Sequence, residues 1–341
     1  MDNNLLNSLI IDEKKNNQDL YSAGPYWKKK SKKIFSQIKK YGLDNFRGLH
    51  NGIGTSYTDS LVYDIRNELN YPLKLLSFFY RMPVLSKIFD RQLHITSSYI
   101  KKYLKFQNSC YNNEQRIKDL IKQYKFINTT EFGCVRKVNI GGKEFSTNYL
   151  EVSNRNSIIS KYINFNNIKS YVEIGGGFGS NIHYLLTNYN NIKKIIYLDI
   201  VPNIYVGTMY LKKFFGNAVI DYNKVRNLEK ITFSKNDNLE IICLPPWSIE
   251  KLKISIDHFH NCASFVEMPK KTIENYSKYL YENNLRSFSL ISYLDYDPRT
   301  TFNPHELGNF FKGDFEKFEQ PNLISNIKKK SLFIIQKSLD I

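Results

Sequence analysis

The sequence predicts an α/β fold, a parallel sheet preceded by a mainly helical N-terminal region, and three observations carry that expectation. From Tyr171 onward, short apolar runs recur at 171–174, 195–198, 239–244, 254–260, 287–293 and 332–336, with helix-length segments between most of them. Apolar strands alternating with helical crossovers make a parallel sheet. Before about residue 130 the apolar residues instead recur at helical spacing, as in Ile34-Phe35-Ile38, Leu61-Ile65-Leu69 and Leu73-Leu76-Phe79. The third observation is Tyr171-Val172-Glu173-Ile174-Gly175-Gly176-Gly177-Phe178-Gly179, an apolar strand that runs into a glycine turn and then a helix from Asn181.

Taken in order, Pro25 and Pro83 mark breaks between helices, and Pro72 starts one, because proline is well tolerated in a first helical turn. Gly133 and Gly141-Gly142 punctuate a strand-like stretch around Val135 to Ile140, which reads as a hairpin or lid. Ser153-Asn154 is expected to cap a helix running to about Tyr162. The division that follows is a helical region over 1–150, forming a lid and acceptor pocket, and an α/β domain over 151–341.

Composition narrows the classes. At 341 residues, 42% hydrophobic and 24% charged, the chain has the material for a packed core, which argues against wholesale disorder. The 25 Tyr and 23 Phe, alongside abundant Lys and Asn, reflect A+T-rich coding more than a stacking function. A net charge of +17 points to an anionic partner: nucleic acid, a membrane face, or a sugar carried on phosphate. The basic residues sit in short groups, such as Lys28 to Lys30 with Lys32 and Lys33, without an Arg/Gly tract, so nucleic acid is disfavoured. Cys110, Cys134, Cys243 and Cys262 lack zinc-type spacing. Without a leader-like N-terminus or an apolar run of membrane-spanning length, the expectation is a soluble cytoplasmic protein, with peripheral membrane contact left open.

The glycine turn has two readings. As G-x-G-x-x-[G/A], the dinucleotide fingerprint, Gly175-x-Gly177-x-x-Ser180 fails at its last position. As acidic-x-G-x-G-x-G, the S-adenosylmethionine pattern, Glu173, Gly175, Gly177 and Gly179 match throughout. A dinucleotide needs a helix N-terminus for its pyrophosphate. S-adenosylmethionine has no phosphate but carries a sulfonium and an amino group that favour a carboxylate such as Glu173. Asp199, ending the run Lys194-Ile195-Ile196-Tyr197-Leu198, would hold ribose hydroxyls under either reading. The cofactor expected is S-adenosylmethionine.

Glu173 to Gly179, His183-Tyr184-Leu185-Leu186 and Tyr197 to Pro202, with the block Asp257 to Pro269, resemble the sugar O-methyltransferases of bacterial surface-polysaccharide gene clusters. In that second block Asn261, Ser264, Phe265, Glu267 and Met268 match the strand ending in Asn and the Ser-Phe/Met-x-Glu-Met turn of those proteins. The resemblance implies a Rossmann-like class I methyltransferase sheet of seven strands, with the cofactor at the ends of the first two. On that basis Glu173, Gly175, Gly177, Gly179, Asp199 and Asn261 would line the cofactor. The acceptor, a sugar on a nucleotide or a lipid-linked glycan, would lie near the end of the fourth strand. His258 and His260 stand where those proteins have apolar residues.

A sugar hydroxyl is a poor nucleophile, so a base near it would help transfer. The candidates are Glu267, His260 and His258, the two histidines sharing one strand face at i and i+2. Asp257, His258, His260 and Glu267 could also gather a divalent cation, but their spacing does not require one and no metal is assigned. His183, one turn into the glycine-loop helix, reads as packing. Leu244-Pro245-Pro246-Trp247 looks like the Pro-Pro-aromatic turn of amino-methylating enzymes, but Leu244 replaces the polar residue that would accept from an amine. The rivals are therefore a nucleic-acid methyltransferase, a nicotinamide-dependent oxidoreductase and a catalytically dead scaffold.

Overall fold

The structure, a computed structural model, describes residues 2–16, 19–43, 46–47, 78–79, 82, 113–126, 132–133, 138–140, 143–145, 147–294, 299–323 and 330–336. The helix expected over Leu61–Leu69, most of the run Leu73–Phe79, Pro72, Pro83, Cys110 and Cys134 lie outside them. Contacts divide the chain into two compact units, one of residues 1–40, 155–320 and 330–341, the other of 41–154 and 321–329. The first forty residues therefore fold with the sheet.

Helix α1 (Asn3–Lys15) is capped by Asp2, whose carboxylate accepts from the Leu5 amide at 3.0 Å. It buries Leu5, Leu6 and Leu9 at i, i+1 and i+4. Asp12 on the same face accepts from Arg226 Nη2 and from the Tyr222 hydroxyl, both at 2.9 Å, and Arg226 Nη1 donates to Ser8 Oγ. Helix α2 (Pro25–Tyr41) begins at the proline expected to mark a break, and buries Ile34 and Ile38.

In the second unit, α3 (Glu114–Gln123) packs Ile117, Leu120 and Ile121 against Leu150 and Leu323. Strands β1 (Val138–Ile140) and β2 (Lys143–Phe145) pair antiparallel around Gly141-Gly142, the expected hairpin. Helix α4 (Thr147–Ile159) starts six residues before the expected cap at Ser153 and stops short of Tyr162. Ser153 and Asn154 are buried in mid-helix instead, where Asn154 Oδ1 accepts from Arg116 Nε at 3.3 Å. A partner reached through space has overridden the local preference of Asn for a cap.

The sheet is formed by β3 (Ser170–Ile174), β4 (Lys194–Leu198), β5 (Val219–Ile220), β6 (Glu240–Leu244), β7 (His258–Cys262), β8 (Phe288–Tyr293), β9 (Glu316–Pro321) and β10 (Lys330–Gln336). Their order is β5-β6-β4-β3-β7-β8-β10-β9. Pairs from β5 through β8 are parallel, with β10 antiparallel to β8. Helices α5 (Ser180–Asn188), α6 (Asn203–Phe215), α7 (Tyr222–Val225) and α8 (Lys270–Glu282) lie in the connections. The Rossmann-like parallel arrangement is as expected, with eight strands where the resemblance implied seven.

Three details depart from expectation. The fourth main strand begins at His258 rather than at 254, β10 runs against its neighbour, and two strands went unforeseen. One of these, β5, has two residues; the other, Glu-Lys-Phe-Glu-Gln-Pro in β9, is a polar edge strand whose proline tolerates an unpaired side. The central strand β3 is buried along its whole length, as a parallel strand covered on both faces must be.

Because Asp12 is the shared acceptor of Arg226 and Tyr222, Asp12→Ala should lower stability by about 2–4 kcal/mol, leaving a guanidinium half-buried and unpaired. The Asp12→Ala/Arg226→Ala double variant should lose less than the sum of the singles, as read from urea unfolding.

Candidate cofactor and acceptor site

Connections from β3 lead to β4 on one side of the sheet, and the chain later returns to β7 on the other side. Ligands of such sheets bind outside the carboxyl ends of the strands where the direction reverses. Residues 175–179 turn at that point, and α5 opens directly after them with Gly179 as its cap.

Two glycines are dictated by geometry. Gly175 has φ +75°, and a Cβ there would stand 2.0 Å from Ser264 Oγ. Its amide donates to the Leu198 carbonyl at 2.7 Å, fastening the turn to β4. Gly177 has φ +66°, and among the described residues, its own chain neighbours apart, no atom lies within 4 Å of where its Cβ would be. The space above Gly177 is open to a ligand lying against bare backbone.

Two carboxyl groups flank this turn. Glu173 sits in β3, 2% exposed, with its Cδ 2.9 Å from the Cβ position of Gly176. Burial pushes its pKa up to about 8 against a hydrogen bond from Asn181, and the charge of Asp199 adds to the rise. Among the described residues its Oε2 is buried without a hydrogen-bond partner. Asp199 follows β4; its Oδ2 accepts from the Gly177 amide at 2.8 Å and its Oδ1 from the Ile200 amide at 2.7 Å. Burial outweighs these bonds and raises it to about 7, with Glu267 contributing a further rise through its charge. An acid kept protonated by burial ionises readily when a cation arrives. The pair thus fits a ligand bearing positive charge near Glu173 and hydroxyl donors near Asp199.

Asn261 takes a different place from the one implied by the resemblance. It is fully buried, its Nδ2 donates to the Ile174 carbonyl at 2.7 Å and to Ser264 Oγ at 2.6 Å, and its Oδ1 accepts from the Phe265 amide at 3.1 Å. Both amide donors are spent inside the protein, so Asn261 braces the turn rather than facing a ligand. Ala263, at φ +66°, bends the chain so that Ser264 reaches under Gly175.

Beyond that bend, Phe265 stacks on Tyr276 with rings 5° from parallel, and Glu267 ends the short helical turn 265–267. Glu267 is 4% exposed; Trp27 Nε1 donates to its Oε2 at 2.5 Å, the Tyr293 hydroxyl to its Oε1 at 3.1 Å, and Arg299 Nη1 lies 3.4 Å from Oε1. Arg299 also stands over the Tyr293 ring, 4.5 Å from its centroid. Trp27, Tyr293 and Arg299 had no signal in the sequence; Trp27 lies 240 residues from its partner.

The expected histidines are elsewhere in kind. His258 and His260 do share one face of β7 and stack against Tyr171, but they are core residues. His258 Nδ1 is 2.8 Å from Ser287 Oγ and its Nε2 2.9 Å from Ser289 Oγ, and His260 Nδ1 is 2.8 Å from Ser289 Oγ. Burial pushes both down to about 3, helped by the charge of His260 on one ring and of Arg155 on the other. Asp257, at the start of β7, accepts from the Lys169 and Ser170 amides and pairs with Arg286. A five-residue strand, about 16 Å long, separates it from the turn that carries Glu267, so the metal constellation does not assemble. His183 packs as expected, its Nδ1 2.8 Å from the Tyr210 hydroxyl. Leu244 ends β6, the strand outside β4, and Trp247 Nε1 donates to Tyr222 at 3.1 Å.

The histidine pair predicts a pH response. With folded pKa values near 3, below the unfolded 6.5, the unfolded chain binds more protons, so stability falls as pH drops through 6.5 toward 3. Glu173 and Asp199 act with the opposite sign, losing stability as pH rises toward 8 and 7. The midpoint lost in His258→Gln/His260→Gln relative to the wild type should therefore be larger at pH 7.5 than at pH 4.5, because only the wild type carries the acid penalty of the two buried rings.

No protein-family model matches the chain, and no curated protein sequence does. Solved structures show a distant likeness. Pyocyanin biosynthetic protein PhzM aligns at 11% identity and a TM-score of 0.33 over 55% of this chain, which spans only 56% of PhzM. The 1,6-didemethyltoxoflavin-N1-methyltransferase of Burkholderia thailandensis, solved with S-adenosylhomocysteine, aligns at 11% identity and 0.39 over 57% of this chain and 80% of its own. Magnesium protoporphyrin IX methyltransferase from Synechocystis PCC 6803 aligns at 10% identity and 0.37 over 56% and 80%. Likeness at this distance carries no argument about chemistry, and the reading of the site rests on its residues.

Proposed function

We propose that this chain is an S-adenosylmethionine-dependent methyltransferase whose acceptor is a sugar hydroxyl, carried on a nucleotide or as a lipid-linked glycan. The observation that carries the reading is the buried Oε2 of Glu173, which has no hydrogen-bond partner among the described residues, beneath the glycine bend with Asp199 across it. The residues fit the cofactor: Glu173 for its amino group, the bare backbone at Gly177 for its sugar and thioether, Asp199 for its ribose hydroxyls. When bound, the cofactor supplies a methyl group already activated by a sulfonium.

The protein's part is alignment and proton management. Asp199 fixes the Gly177 amide and, through it, the height of the bend. Glu267 stands on the acceptor turn, within electrostatic reach of Asp199, and takes the role of orienting the acceptor hydroxyl and receiving its proton. Trp27, Tyr293 and Arg299 hold that carboxylate in place. We assign His258 and His260 to the core, since rings closed in by serines and lacking a surface cannot collect a substrate proton.

Two flanking carboxyl groups oppose a pyrophosphate, which weighs against a nicotinamide dinucleotide. Leu244 offers no side-chain acceptor for an amine, which weighs against a nucleobase acceptor.

Calorimetry tests the cofactor: S-adenosylmethionine and S-adenosylhomocysteine should bind, and NAD should not. Asp199→Ala should weaken binding about tenfold or more, losing charge-assisted hydrogen bonds. Glu267→Gln should lower turnover, followed as S-adenosylhomocysteine release with candidate nucleotide sugars, while leaving cofactor affinity within about twofold. Equal binding losses in both variants would overturn these roles. Affinity for S-adenosylmethionine should rise between pH 6 and 8 as Glu173 becomes easier to ionise, with protons released on binding. Glu173→Gln should flatten that dependence.

A further inference from the structure

Helix α2 carries seven lysines, at 28, 29, 30, 32, 33, 39 and 40, and no acidic residue, against a net charge of +17 for the whole chain. They are sorted by face. Ile34 and Ile38 are buried, and Trp27 on the same side reaches Glu267. Lys28, Lys29, Lys32, Lys33, Lys39 and Lys40 are exposed. Spacings of one, four and seven residues put them on one solvent-facing stripe, about 18 Å long at 1.5 Å per residue.

Several lysines on other helices of this chain are paired with carboxylates. Lys278 pairs with Glu282 and Lys270 with Glu306 along and beside α8, and Lys15 pairs with Asp12 in α1. Among the described residues, Lys28, Lys29, Lys32, Lys33 and Lys39 have no ion pair. An unneutralised row costs self-repulsion unless an anionic surface answers it.

We propose that this lysine stripe docks the protein on an anionic lipid bilayer, with α2 lying flat on the headgroups. Lysine ammonium groups are point charges suited to a diffuse field, whereas recognition of nucleic acid favours the bidentate fork of arginine, which α2 lacks entirely. Tyr26 and Trp27, in edge contact at 5.4 Å, begin the helix at the end nearest Glu267. Docking this way puts one end of the stripe beside the acceptor turn. The docking rests on charge and geometry alone; only its use in delivering a lipid-linked acceptor rests on the proposed function.

The test uses the full chain with vesicles of phosphatidylcholine, with and without phosphatidylserine. Sedimentation should show binding to the anionic vesicles only, weakening as salt rises. The variant K28Q/K29Q/K32Q/K33Q should lose about tenfold or more of that binding, at roughly one unit of surface attraction per lysine. The charge-matched control K161Q/K230Q/K235Q/K253Q should lose under about threefold, having lost the same net charge but not the stripe. Both should melt like the wild type and bind S-adenosylhomocysteine alike, which separates this outcome from failure of the cofactor reading. Should the α2 variant fail to fold, amide exchange on the wild type decides: residues 25–41 should gain protection on anionic vesicles. Equal losses in both variants, no preference for anionic vesicles, no added protection in 25–41, or displacement from vesicles by single-stranded RNA that binds through the same lysines would each overturn the proposal.

Discussion

The arrangement of the site depends on one contact: Ser264 Oγ occupying the space that any side chain at residue 175 would need. It lets the end of β3 and the end of β7 close on each other, with Asn261 bonding both the Ile174 carbonyl and Ser264. The cost is two residues in left-handed backbone, Gly175 and Ala263, of which the second has a Cβ and is strained by on the order of 1 kcal/mol or more. In return the glycine bend and the acceptor turn become one rigid piece. For the transfer proposed here, a relative displacement of about 1 Å between donor and acceptor would be costly, so the stiffness would have a chemical use.

Electrostatics gives that rigid piece its character. Three carboxyl groups, Glu173, Asp199 and Glu267, lie close enough for successive pairs to sense each other's charge, and all three are almost wholly buried. Glu267 is offset by Arg299 and two neutral donors, whereas Glu173 and Asp199 are held by neutral groups. Among the described residues the two halves therefore differ: Glu267 has a cationic partner, and Glu173 and Asp199 have none. That imbalance is a property of the residues themselves.

Much of this could be read from the sequence because it is local. Strand, glycine bend and ribose-side acid lie within 29 residues, from Tyr171 to Asp199, and each has its own periodicity or residue type. Glu267 stood out in the sequence through the turn that carries it. What could not be read is set by contacts at long range. Two histidines on a strand look the same whether they face a substrate or a core; Ser287, just before β8, and Ser289, opposite His260 on it, decide it. That pattern was present in the sequence, but the pairing of β7 with β8 was needed to give it meaning. Asn261 followed the same logic, its amide being claimed by Ile174 from a neighbouring strand. The helix start at Thr147 and the reversed β10 have no local marker at all.

The clasp between Asp12 and Arg226 spans 214 positions, and it has an implication for how the chain is made. At roughly 5–20 residues per second, about 10–40 s pass at the ribosome between the appearance of α1 and that of its anchor. Throughout that interval the clasp that seats the Leu5, Leu6 and Leu9 face cannot form. A segment made well before its anchor is thus among the last to settle, and the nascent polypeptide must be kept from sticking to its neighbours while it waits.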